Sequence, residues 1–166
     1  MKALPGPLGV DFVLFDGEEF IFNRNNSDGY FKGSTHFARD YVGNPPAHRY
    51  RYGVLVDMIA DKDLHLYYEK NSMKYARPLC LQIWGVAKKL RIDEFVPRTR
   101  HEVRDDHLPL NEIAKIPSCD LIDFDYPRPG MTASYWHTTQ DTPDKCSGES
   151  MGKVGWVLLE WIKTLR

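Results

Sequence analysis

Apolar residues along this chain follow two periods. Short runs bounded by glycine, proline or charge read as strands, and longer stretches repeat with the 3.6-residue period of a helix that buries one face. The first run, Gly9-Val10-Asp11-Phe12-Val13-Leu14-Phe15, reads as a buried strand that ends in the acidic turn Asp16-Gly17-Glu18-Glu19. Residues 20–33 are polar and glycine-containing and read as a long surface loop. Ser34 or Thr35 then caps a short helix through Val42, closed by Gly43 and the prolines at 45 and 46.

Residues 52–59 and 64–68 read as two further strands, joined through the charged turn Asp61-Lys62-Asp63. From Asn71 to about Leu90, Met73, Ala76, Leu79, Cys80, Ile83, Trp84, Ala87 and Leu90 trace one helical face, with Pro78 either kinking the helix or marking its real start. Phe95-Val96 is a short strand, residues 106–115 a short helix with Pro109 in its first turns, and residues 118–124 another strand. Ser147 caps a last helix that runs to about Leu165, its stripe made by Met151, Val154, Val157, Leu158, Trp161 and Ile162. Strands alternating with helices predict an α/β fold: a three-layer sandwich whose mixed, mostly parallel sheet is flanked by helices. The strands carrying Phe15, Asp57 and Asp123 are expected in that one sheet, with residues 1–166 forming a single domain.

Composition narrows the picture without directing it. The 166 residues give room for a real core, and 42% hydrophobic with 27% charged residues is ordinary for a globular protein. A net charge of -1 offers no electrostatic case for nucleic acid or an anionic membrane. No apolar run approaches the roughly 20 residues that span a bilayer. Cys80, Cys119 and Cys146 lack zinc-knuckle or redox spacing and read as free thiols rather than a disulfide framework.

The candidate chemistry lies at strand ends. Two adjacent carboxylates after a buried strand need a cation or a proton to share the site, unless they sit on a solvated turn. Three further stretches repeat the arrangement of an acid or a His at, or just beyond, an apolar segment. They are Val54-Leu55-Val56-Asp57-Met58-Ile59, Arg104-Asp105-Asp106-His107-Leu108-Pro109 and Tyr135-Trp136-His137-Thr138-Thr139-Gln140-Asp141-Thr142. In an open α/β sheet such ends converge on one crevice. In order, spacing and wording, these motifs with Asp16-Gly17-Glu18-Glu19 resemble the zinc exopeptidase family that holds the di-zinc aminopeptidases and the glutaminyl cyclases. The resemblance covers the chain from near Gly9 to its C-terminus.

That resemblance implies roles by position. Glu19 and His137 match two ligands of one zinc, and Asp57 a ligand of the second zinc in the aminopeptidases or part of a hydrogen-bond network in the cyclases. Glu18 matches the general base or acid and Asp105 the acid completing the cyclase network. Trp136 matches the pocket tryptophan that meets substrate, with plain packing as its alternative. His107 is expected to cap a helix or bond a carbonyl rather than bind metal. The implied cofactor is zinc, one ion or two, and the implied substrate is the free amino end of a peptide. The family also draws a His and a bridging Asp from upstream of the acidic turn, and residues 1–15 hold no His and only Asp11 as an acid. The chain therefore reads as the C-terminal portion of a larger fold, binding zinc weakly or not at all and weak or inactive alone. An uncovered apolar face near residues 9–15 predicts a homo-oligomer. A non-catalytic scaffold, or one half of a complementing pair, is the alternative from another functional class.

Overall fold

Strand Ser118–Ile122 lies at the centre of the architecture, and its sequence explains why. The computed structural model describes residues 8–20, 29–125 and 134–165. Its elements are α1 (Lys32–Gly43), β1 (Gly53–Asp57), β2 (Leu66–Tyr68), α2 (Lys70–Tyr75), α3 (Arg77–Leu90), β3 (Phe95–Thr99), α4 (His107–Glu112), β4 (Ser118–Ile122), a 3-10 turn at Pro143–Lys145, and α5 (Gly148–Ile162). Every residue of β4 is buried, and successive side chains of a strand point to opposite faces. Cys119 and Leu121 enter an apolar core with Leu79, Ile83, Val154, Val157 and Trp161 of α3 and α5. Asp120 points the other way, toward His107 of α4. Helices thus cover the parallel strands from both sides, as the alternating pattern predicts.

Strand β4 pairs in parallel with β1, Gly53 opposite Ser118 through Asp57 opposite Ile122. β2 and β3 form a second parallel ladder, whose register shifts between Tyr67 and Tyr68. The two ladders are not hydrogen-bonded strand to strand. They are tied where the His65 N–H donates to the Asp123 carboxylate at 3.0 Å. Fully burying Leu66, Leu79, Ile83, Val154 and Val157 contributes about 1.5–3 kcal/mol each.

Helix boundaries follow local chemistry. The Ser147 hydroxyl accepts the Ser150 N–H and starts α5, as its sequence position predicts. The expected helix from Asn71 to Leu90 is two helices, because the backbone turns out of helical geometry at Ala76 and Pro78 opens α3. Helix α1 starts at Lys32 rather than at a Ser34 or Thr35 cap. Ser34 is buried inside it and donates to the Asp106 carboxylate at 2.5 Å. Among the described residues, no helix is long and apolar enough to cross a membrane.

The expected strand at Gly9–Phe15 is the main departure. Residues 8–15 carry no strand, and Phe12 and Leu14 are 94% and 97% exposed. The segment is held by the Tyr50 hydroxyl donating to Asp11 at 2.7 Å and by Phe15 packing edge-on against Phe37 at 5.7 Å. An apolar run signals that a segment is made to be buried; it does not supply the strand that would bury it. No described strand pairs with this one. Part of the expected 20–33 loop, residues 21–28, lies outside the described residues.

Glu69 shows how a buried carboxylate is stabilised here. Burial pushes its pKa up, but the His107 imidazole at 3.4 Å and hydrogen bonds from the N–H groups of Val103, Asn71 and Ser72 outweigh this and hold it at about 2. A carboxyl depressed from 4.5 contributes stability that is present above that value and lost as pH falls toward about 2. The expected result for Glu69→Gln is a loss of about 2 kcal/mol at neutral pH. The variant should also show a flatter decline of melting temperature with acid, measured by calorimetry across that window.

Candidate active site

The acidic turn is docked by main-chain hydrogen bonds. The N–H groups of Phe31, Lys32 and Gly33 donate to the carbonyls of Glu18, Gly17 and Asp16 at 2.9, 3.2 and 3.0 Å. Glu19 and Tyr30 form an antiparallel bridge. Two glycines make this possible. Gly17 has a φ of 61°, and a Cβ on Gly33 would lie 2.6 Å from the Asp16 carbonyl oxygen. The start of α1 thereby fixes the backbone from which Glu18 and Glu19 project.

Two other segments bring carboxyl groups to the same end of the sheet. Asp57 closes β1, and its carboxylate accepts the Met58 N–H at 2.9 Å. Asp105 and Asp106 precede α4, are buried, and sit where the Asp106 N–H donates to Asp105 at 2.6 Å. The crowding shows in their acidities. Burial first, then the charges of Glu19, Asp106 and Asp57, raises Glu18 to about 7. Burial, then Asp57, Asp106 and Glu18, raises Asp105 to about 7, against the lowering effect of the Asp106 N–H. Burial and Glu19 raise Asp57, opposed by the Met58 N–H. Burial and Asp57 raise Asp106, opposed by Ser34.

His137 reaches this cluster from the loop before α5. Its Nε2 lies 3.3 Å from Glu19 Oε1, with both side chains about half exposed. Its backbone is left-handed, at φ 59°, and its ring stacks on Trp136 at 3.9 Å. A cavity of about 110 Å³ opens beside it, with Met58, Asp61, Tyr135 and Trp136 among its lining residues. A larger cavity of about 570 Å³ is lined by Tyr30, Lys32, Thr35, His36 and Arg39. Neither cavity is lined by a residue of the carboxyl cluster; the smaller adjoins it through Met58, next to Asp57, and through Trp136, which stacks on His137.

Of the residues singled out in the sequence, Glu18, Glu19, Asp57 and Asp105 act on one another electrostatically, His137 meets Glu19, and Trp136 meets His137. The donor types suit zinc, which takes imidazole nitrogen and carboxylate oxygen. Among the described residues no three such side chains gather around one point; Glu19 and His137 meet as a pair. His107 departs from its expected capping role. It is fully buried, its Nε2 3.4 Å from Glu69 and its Nδ1 3.8 Å from Asp120. Asp120 is fully buried too, and burial followed by the charge of Asp105 holds its pKa well above the usual carboxylate range. The sequence signal for this lower layer was an acid in the middle of an otherwise uncharged strand. Ser34 and Glu69 gave no such signal.

Comparison with known proteins identifies the family and fold. The profile of peptidase family M28 matches residues 2–162. The structure is similar to a glutaminyl cyclase from Fimbriiglobus ruber, at 41% identity and a TM-score of 0.85, over 98% of this chain and 55% of that one. It is also similar to a Zn-dependent exopeptidase from Parabacteroides distasonis, at 29% identity and a TM-score of 0.77, over 91% of this chain and 53% of that one. A leucine aminopeptidase precursor from Bacteroides thetaiotaomicron matches at 26% identity and a TM-score of 0.77, over 92% and 52%. No curated protein sequence matches the chain significantly. The chain spans about half the length of these solved relatives. From its profile match and its 41% identical relative, the chain belongs to peptidase family M28.

Proposed function

We propose that this chain carries the carboxyl cluster of a zinc-dependent enzyme acting at the free amino end of peptides, as a glutaminyl cyclase or an aminopeptidase. The observation that carries the reading is Glu18, raised to about 7 beside the Glu19–His137 pair. A carboxyl group with that pKa is present in both protonation states near neutrality, the condition for taking up a proton and giving it back. Glu19 and His137 would hold zinc, with Asp57 as a further donor; when bound, the ion polarises the carbonyl under attack. Three donors of this kind are fewer than the four of a closed zinc site, so weaker binding than at such a site is expected.

In this reading Glu18 is the group that moves the proton. In the cyclase reading, the α-amino nitrogen of an N-terminal glutamine bonds to its own γ-carboxamide carbon. The carbon–nitrogen bond of that amide breaks, and Glu18 carries the proton lost by the amine to the departing ammonia. In the peptidase reading, Glu18 takes the proton from water and delivers it to the amine freed from the first peptide bond. Asp105 in its neutral form can donate a hydrogen bond within the cluster, and Trp136 offers an apolar wall to the substrate side chain. One glutaminyl cyclase at 41% identity supports the cyclase reading, while other glutaminyl cyclases, at 24–27%, are no more similar than the exopeptidases at 26–29%, so the reading covers both reactions. The test is mass spectrometry of a glutamine-initiated peptide incubated with the zinc-supplemented protein. Loss of ammonia is expected, and Glu18→Gln should lower the rate about 100-fold or more. An unchanged rate in that variant would remove Glu18 from the mechanism.

Metal-free protein should report the crowding directly. A carboxyl whose folded pKa is raised destabilises the fold once it ionises, so stability falls as pH rises from the ordinary carboxyl values of 4.5 and 3.8 through about 7. The melting temperature is therefore expected to drop between about pH 4 and pH 7 and to level off above that, with a smaller drop in Glu18→Gln. A flat profile would show that the cluster is better solvated than this.

A second reading, a scaffold or one half of a complementing pair, is favoured by the exposure of Phe12 and Leu14. At ~25 cal/mol per Å² of apolar surface, covering such a segment is worth several kcal/mol. We accordingly propose self-association through the region of residues 9–15 or α5. Light scattering at micromolar concentration is expected to give at least a dimer, and a monomer would contradict it.

A further inference from the structure

The rings behind His137 form an unbroken line. Trp136, which stacks on His137, meets Phe124 edge-on at 5.2 Å; Phe124 meets His101 edge-on at 5.8 Å, and His101 meets Tyr67 edge-on at 6.2 Å. The far end is anchored by charge: the guanidiniums of Arg98 and Arg100 lie 5.2 and 5.0 Å from the Tyr67 ring centroid. Phe124 itself stands between two pinned aspartates. Asp123 accepts the His65 N–H at 3.0 Å, and buried Asp125 receives Arg100 at 2.9 Å with His101 at 3.5 Å.

His137 needs such support more than most histidines. It is about half exposed, its backbone is left-handed, and among the described residues Glu19 is its ion-pair partner. A histidine that binds metal is ordinarily oriented by a hydrogen bond on its second ring nitrogen. Here the imidazole face meets the Trp136 indole, and among the described residues the indole in turn meets Phe124 edge-on. Stacking fixes the plane of a ring as a hydrogen bond would, provided the partner ring is itself held.

We propose that Phe124 is a positioning residue for His137, acting through Trp136, so that the line of rings from Tyr67 sets the plane in which the imidazole is presented beside Glu19. The inference rests on the reading of His137 as a zinc donor, and the experiment separates the two. Zinc affinity is measured on the full chain by competition with a chromophoric chelator, without substrate. Loss of an orienting partner typically costs a metal site 10–100-fold, so Phe124→Leu is expected to weaken zinc binding about tenfold, while Phe124→Tyr, which keeps the ring edge, stays within about twofold of the parent. Melting temperatures of both variants show whether the fold is intact, and Trp136→Leu, which removes the middle ring, tests the same line should Phe124→Leu not fold. His137→Ala should lose more affinity than any of these. If His137→Ala weakens binding and Phe124→Leu and Trp136→Leu do not, the positioning role is overturned and the zinc reading stands. If His137→Ala binds zinc like the parent, the donor assignment fails, and the positioning role with it.

Discussion

Glu18, Glu19, Asp57, Asp105 and Asp106 bring their charges to one end of a small parallel sheet, and much of the structure is arranged around the cost of that crowding. Like charges in a partly buried site are tolerated only when a proton, a hydrogen-bond donor or a cation answers them. All three answers have a place here. Protons are retained on Glu18 and Asp105 near neutrality. Hydrogen bonds from Ser34 to Asp106 and from Met58 to Asp57 offset part of the rise that burial imposes on two others. An imidazole stands against Glu19. The local irregularities follow from this demand. Met58 and His137 take left-handed backbones beside the cluster, and Ser34 is buried where a helix would ordinarily place an apolar residue.

A second polar layer beneath the first obeys the same rule with a different outcome. Glu69 has enough donors to remain ionised and caps α2 with its carboxylate. Asp120, fully buried and near Asp105, lacks them and is held toward its neutral form. His107 sits between the two. Two carboxyl groups on either side of one imidazole thus titrate far apart because their hydrogen-bond environments differ, which lets a buried acidic layer exist without a buried excess of charge.

What the sequence revealed and what it hid divide along physical lines. Helices α3 and α5 were legible because an apolar stripe with a 3.6-residue period is a property of the segment itself, as are the Ser147 cap and the break near Pro78. Strands β1 and β4 were legible as apolar runs, and the acidic turn and Asp57, Asp105 and His137 as polar residues at their ends. The segment Val10–Phe15 misled, because strand formation needs a partner that composition does not name. Ser34, Glu69 and the burial of His107 were hidden for a related reason. Their partners stand 72, 34 and 38 positions away or thereabouts, and no local pattern encodes a contact of that range.

The two sides of the site are held by unequal means, and this bears on how it works. Glu18 and Glu19 project from a turn locked to α1 by consecutive main-chain hydrogen bonds, so their positions are set by backbone. His137 projects from an exposed loop whose hold on the rest is made of ring contacts and of the Tyr135 hydroxyl donating to Asp61. A backbone-locked acid and a ring-supported base differ in stiffness, and the softer partner sets the precision of any donor pair they form. Aromatic support is less directional than a hydrogen bond, but it covers one face of the imidazole beside Glu19. The cluster supplies the charge and the loop supplies the geometry. A site so divided depends most on the contacts that fix its less rigid half.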